Sequence, residues 1–145
     1  MTEPAYANSY ENLALTRDDD GVLVLRFHTN GGPVIFTGGT HEDFPAALEQ
    51  ISLDRDNTAL VITGSGDSFM DQIDGPSLGE IFKPAVWEKI RTEGAKVLQR
   101  LLELPLPVVG GGDGLHVVWE EIVGTARAKW LLWTGEQINA QTALQ

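Results

Sequence analysis

A chain of 145 residues with 42% hydrophobic content is long enough to bury one core, and it reads as a single globular domain. Its formal net charge of -11 argues against nucleic acid and anionic membrane surfaces as partners, because a negative field repels phosphates. There is no cysteine, no apolar run of about 18 residues and no secretory signal at Met1-Thr2-Glu3-Pro4, so a soluble cytoplasmic protein without disulfides, thiolate nucleophile or sulfur-ligated metal is expected.

In chain order, Met1 to Tyr10 is polar and reads as a loose lead-in. Leu13-Ala14-Leu15 and the run Val22 to Phe27 flank Asp18-Asp19-Asp20-Gly21, and Asp-Gly between apolar runs predicts a hairpin. His28 to Pro33 is a loop, and Val34-Ile35-Phe36 a short apolar piece. A helix is expected from near Thr40, with the Thr40 hydroxyl as its cap and Asp43 at capping-box spacing. Phe44, Ala47, Leu48 and Ile51 give that helix one buried stripe. Asp54 to Asn57 is a polar turn into Ala59-Leu60-Val61-Ile62-Thr63, whose continuous apolar run predicts a strand buried on both faces. Strand, helix, strand in that order implies parallel pairing through a right-handed crossover. The loop from Gly64 to Asp74 then lies at the strand's carboxyl end, where ligands bind in open α/β sheets.

Beyond Asp74, Ser77-Leu78-Gly79-Glu80 offers a second capping-box spacing, and Pro84 interrupts the segment after it. A long helix is predicted from Val86 to Glu103, with Trp87, Ile90, Gly94, Val97, Leu98 and Leu101 on its buried side, ended by Pro105 and Pro107. Val108-Val109 is a strand running into Gly110-Gly111-Gly112-Asp113-Gly114. Val117 to Val123 and Thr125 to Thr134 read as short helices, with Gly135 as a C-cap and Asn139 capping a last one.

Three segments carry a family resemblance: Ala59 to Phe69 through Asp74; Leu104-Pro-Leu-Pro-Val-Val109; and Gly112-Asp-Gly-Leu-His-Val-Val-Trp119 with Leu132-Trp-Thr-Gly-Glu-Gln-Ile-Asn-Ala140. Together they resemble the crotonase (enoyl-CoA hydratase/isomerase) superfamily, and within it the β-diketone hydrolase branch that includes 6-oxocamphor hydrolase. The resemblance implies an α/β fold, a shortened form of the crotonase ββα spiral with helices packed on the sheet. It implies retro-Claisen hydrolysis of a cyclic 1,3-diketone, with a small-molecule diketone or acyl substrate, no cofactor, no metal, and self-association into a homo-oligomer. By position, Asp113 matches the acidic partner of a catalytic histidine, the Ile73 amide an oxyanion donor, and Phe36 an aromatic against the substrate. Asp74, Trp119 and His116 complete the candidate set. Gln72 replaces the glycine usual in acyl-CoA-binding members. The family's several dozen residues between the strand at Leu106 to Val109 and the loop at Gly112-Asp113, which hold both of its histidines, are missing, as is its C-terminal helical region.

Two other readings stand beside this one. The same core could be a non-catalytic remnant or binding module that self-associates through exposed apolar surface. Gly66-Asp67-Ser68 with Asp113-Gly-Leu-His116 also resembles GDSL-type esterases, with Ser68 as nucleophile, His116 as base and Asp113 as its orienting acid. In the structural alternative Asp113 only caps a helix and His116 is a packing residue. Neither His28 nor His41 gives metal spacing, and Gly64-Ser65-Gly66 lacks the lysine and spacing of a phosphate loop.

Overall fold

The elements of the computed structural model are β1 (Leu13–Arg17), β2 (Val22–Phe27), β3 (Ile35–Phe36), α1 (Gly38–Leu53), β4 (Ala59–Thr63), β5 (Gln72–Ile73), α2 (Pro84–Glu103) and β6 (Val108–Val109), with single 3-10 turns at Ala7–Ser9 and Gly75–Leu78. The structure describes residues 1–67 and 69–110. Met1–Gly112 is one compact unit and Asp113–Gln145 a second. The helices expected at Val117 to Val123 and Thr125 to Thr134 and the caps at Gly135 and Asn139 lie outside the described residues.

β1 and β2 form the expected antiparallel hairpin, with Leu13 opposite Phe27 and Leu15 opposite Leu25. Asp18 closes its turn, its Oδ1 accepting from the Asp20 and Val22 amides at 3.0 and 2.9 Å. Gly21 sits at φ +82°, and a Cβ there would stand 2.6 Å from the Asp56 carbonyl oxygen, so glycine is required twice over. Thr58 fastens this turn to the start of β4, donating its amide to the Gly21 carbonyl and its hydroxyl to that of Asp20, both at 2.8 Å.

β4 pairs parallel with β2, and β6 parallel with β4, giving the order β1-β2-β4-β6. The register sets Leu23 beside Leu60 and Leu25 beside Ile62, so one face of the sheet carries Leu13, Leu15, Leu23, Leu25, Phe27, Leu60 and Ile62, all buried. α1 contributes Phe44, Ala47, Leu48 and Ile51 to the same core, the stripe expected from their spacing. Phe27 and Phe44 meet edge to face at 4.9 Å between ring centroids. The continuous apolar run of β4 does not mean burial on both faces: Leu60 and Ile62 are buried while Val61 between them is half-buried. Alternation along a strand sends Val61 to the face opposite α1's stripe.

Local expectations at both helices are corrected. Thr37, not Thr40, caps α1: Thr37 Oγ1 accepts from the Thr40 amide at 3.2 Å, and Thr40 is fully buried one turn in. Asp43 makes no capping box; burial, then the Glu42 and Glu11 charges, raise its carboxyl above the ordinary range. Pro84 does not interrupt a helix but begins one, at the position where its missing N–H costs nothing. Ser77 caps no helix either, and lies in the turn Gly75–Leu78. Along α2 only Val97 is buried; Ile90, Gly94, Leu98 and Leu101 are half-buried, and Trp87 is 55% exposed in the first turn. The helix does stop before Pro105, its last residue being Glu103.

The amino terminus is tied down rather than loose. Thr2 and Arg17 exchange backbone bonds at 2.7 and 2.8 Å, and Pro4 and Ala7 are buried. Tyr6 donates its hydroxyl to Asp54 Oδ2 at 3.0 Å, and Arg17 Nη1 reaches the same oxygen at 2.7 Å and Asn57 Oδ1 at 3.1 Å. Burial opposes ionisation of Asp54, but hydrogen bonds from the Asp56 amide, Tyr6 and Arg17 outweigh it and hold that carboxyl below the usual range. The Tyr6 phenol is pushed up to about 12, chiefly by burial. No helix among the described residues is long and apolar enough to cross a membrane.

Candidate functional site

Two short strands apart from the main sheet position the candidate residues. β3 and β5 pair parallel, with Ile35 beside Gln72 and Phe36 beside Ile73. The Asp74 amide donates to the Phe36 carbonyl at 2.9 Å. In a parallel ladder the residue facing such a bonded partner turns its own amide the other way, so the Ile73 N–H points away from β3. Phe36 is 6% exposed and Ile73 64% exposed, which makes the ribbon a buried aromatic on one strand beside an open strand on the other.

The segment after β5 is strapped to the start of α1. Ser77 Oγ donates to the Asp74 carbonyl at 2.6 Å and accepts from the Gly38 amide at 2.9 Å. A Cβ on Gly38 would fall 2.5 Å from the Ser77 carbonyl oxygen, so only glycine permits this approach. Asp74, half-buried, therefore serves the ribbon through its backbone at both ends.

One group at this site was given no role by the sequence. His41, in the first turn of α1, meets Phe36 edge to face at 5.9 Å between centroids, and its Nδ1 lies 2.8 Å from Glu93 Oε2 of α2. Both side chains are mostly buried, at 12% and 14% exposure. Lys89 stands 3.6 Å from the other Glu93 oxygen and 3.0 Å from Glu42. Glu93, Lys89, Glu42, Gly38, Ser77 and Ile90 line a cavity of about 240 Å³ between these segments. His28 is elsewhere in the chain's chemistry, its Nδ1 accepting from the Gly31 amide at 3.3 Å in the loop before β3. Among the described residues no group of His, Asp and Glu is arranged to hold a metal ion.

The structure thus brings together Phe36, Ile73 and Asp74 of the expected set and adds His41 with Glu93. Asp113, His116 and Trp119 lie outside the described residues, as does Ser68, on which the esterase reading turns.

A mixed α/β unit with a parallel two-stranded ribbon set beside its main sheet is a crotonase-type architecture, and solved structures match it over most of the chain. A β-diketone hydrolase from the cyanobacterium Anabaena sp. PCC 7120, bound to (S)-3-oxocyclohexyl acetic acid, is 37% identical with a TM-score of 0.85, over 99% of this chain and 72% of its own. An enoyl-CoA hydratase/isomerase from Mycobacterium paratuberculosis matches at 18% identity and TM-score 0.73, over 99% of this chain and 71% of its own. An enoyl-CoA hydratase from Bacillus anthracis matches at 16% and 0.71, over 91% and 66%. The last two show the fold alone; the first, at 37% identity, shows that the chain belongs to the crotonase superfamily. No protein-family model and no curated protein matches it.

Proposed function

We propose that the chain hydrolyses a carbon-carbon bond between two carbonyls of a cyclic 1,3-diketone. The observation that carries this reading is the β3–β5 ribbon, which sets an outward-facing Ile73 amide beside the buried ring of Phe36. It is supported by the 37% identity to a β-diketone hydrolase. In such a reaction water adds to one carbonyl, the bond to the central carbon breaks, and the electron pair is held as an enolate until it is protonated. An amide aimed at the developing oxyanion stabilises that charge, and we assign this to Ile73. Phe36 packs against the ring of the substrate, and Asp74 fixes the ribbon.

The test is loss of the diketone absorbance with the purified chain. Ile73→Pro removes only the amide that faces away from β3, leaving the ribbon's own bonds, and turnover is expected to fall by about 100-fold or more. A folded wild-type chain that leaves the diketone intact sinks the proposal.

A further inference from the structure

Hydrolysis requires a group that takes a proton from water, and the sequence contains three histidines. We infer that His41, oriented by Glu93, is that general base. This rests on the proposed diketone hydrolysis and assigns its proton transfers.

A carboxylate only accepts hydrogen bonds, so in the neutral ring the 2.8 Å contact to Glu93 places the proton on Nδ1 and leaves the lone pair on Nε2. Among the described residues Nε2 has no hydrogen-bond partner, and no side-chain nitrogen or oxygen is both sealed from solvent and unpartnered. The basic nitrogen is therefore unpartnered and not fully sealed, although most of the side chain is buried. At Gly94 α2 presents no side chain to it: a Cβ there would lie 4.0 Å from Nε2. The ring edge against Phe36 holds the imidazole beside the aromatic we set against the substrate. An oriented imidazole with one committed nitrogen and one free one is what base catalysis by histidine needs.

The step balances without any further reactant. Nε2 takes one proton of water as its oxygen bonds to the carbonyl carbon. The tetrahedral oxyanion then reforms its C=O, the bond to the central carbon breaks, and the pair passes into the enolate beside the Ile73 amide. The imidazolium returns its proton to that carbon, giving a keto acid. The charged groups facing His41 are Glu93 and, through it, Lys89 on α2, with Glu42 on its own helix.

The experiment compares wild type with His41→Gln, Glu93→Gln and His116→Gln for diketone turnover across pH, with circular dichroism on each. The expected result is a loss of about 100-fold or more in kcat for His41→Gln, together with loss of the acidic limb of the kcat/KM profile. Glu93→Gln, which keeps the side chain's shape, should shift that limb, and His116→Gln should leave it in place. The inference is overturned if folded His41→Gln keeps wild-type turnover and limb, or if the limb disappears in His116→Gln instead. An inert wild-type chain would overturn the diketone reading itself, a result distinct from an active chain that tolerates His41→Gln.

Discussion

α1 and α2 pack against each other, yet different forces hold them. α1 spans 16 residues and buries six, among them Phe44, Leu48 and Ile51 under the sheet. α2 spans 20 and buries Val97 alone. Its polar links to α1 are the hydrogen bond between His41 and Glu93 and the ion pairs of Lys89 with Glu42 and Arg100 with Glu49. Exposed ion pairs contribute little, so the protected pair of His41 and Glu93 stands apart from the other two. The contrast separates a helix that makes the core from one that covers it and brings a carboxylate to an imidazole.

That division is broken most directly in the core. Leu48→Ala, at a fully buried site on α1, is expected to cost about 2–5 kcal/mol, read as the shift of a urea unfolding midpoint. Leu98→Ala, half-buried on α2, should cost clearly less, and equal losses would refute the contrast. Next in size is Arg17→Met. It strips Asp54 and Asn57 of their cation at a mostly buried site, with an expected cost of about 1–3 kcal/mol.

The same cluster gives the stability a pH signature at both ends. The folded Asp54 carboxyl lies below its unfolded value of 3.8, so its contribution is present above that value and is lost as pH falls through the folded one. Tyr6 is raised from 10.0 to about 12, so its contribution is complete below pH 10 and is lost as pH rises toward 12. Denaturation midpoints measured against pH should decline in both windows, and Arg17→Met should flatten the acid one.

The features legible in the sequence were those written in contiguous residues. Asp-Gly between apolar runs foretold the hairpin, and the spacing of Phe44, Ala47, Leu48 and Ile51 foretold the buried face of α1. What escaped depends on partners remote in the chain. Periodicity marks an apolar side on α2, but nothing local says that Trp87, in its first turn, is exposed. His41 and Glu93 lie 52 residues apart, and Tyr6 and Asp54 lie 48, so neither pair leaves a local spacing to read. Phe36 and Ile73 were reached only through the family resemblance, since two-residue strands have too few side chains to show alternation.

The smaller predictions sharpen the comparison at the helices' own ends and surfaces. Thr37 caps α1 by accepting the Thr40 amide at 3.2 Å, while Thr40 itself lies buried inside the helix. Thr37→Ala should therefore destabilise by about 1 kcal/mol in thermal unfolding.

Gly94→Ala is expected to act in the opposite direction. Glycine inside a helix costs about 0.5–1 kcal/mol relative to alanine, through the freedom that it has in the unfolded chain. The position is strain-free for a methyl group, because the nearest atom a Cβ meets is His41 Nε2 at 4.0 Å, an ordinary contact. The variant should melt higher by an amount within that range, while the new methyl narrows the space before the free imidazole nitrogen. Higher stability with reduced turnover would show that α2 leaves this position empty for the chemistry rather than for packing. Higher stability with unchanged turnover would limit the role of Gly94 to helix propensity, and unchanged stability would mean that α2 contributes less to folding than its contacts with α1 imply.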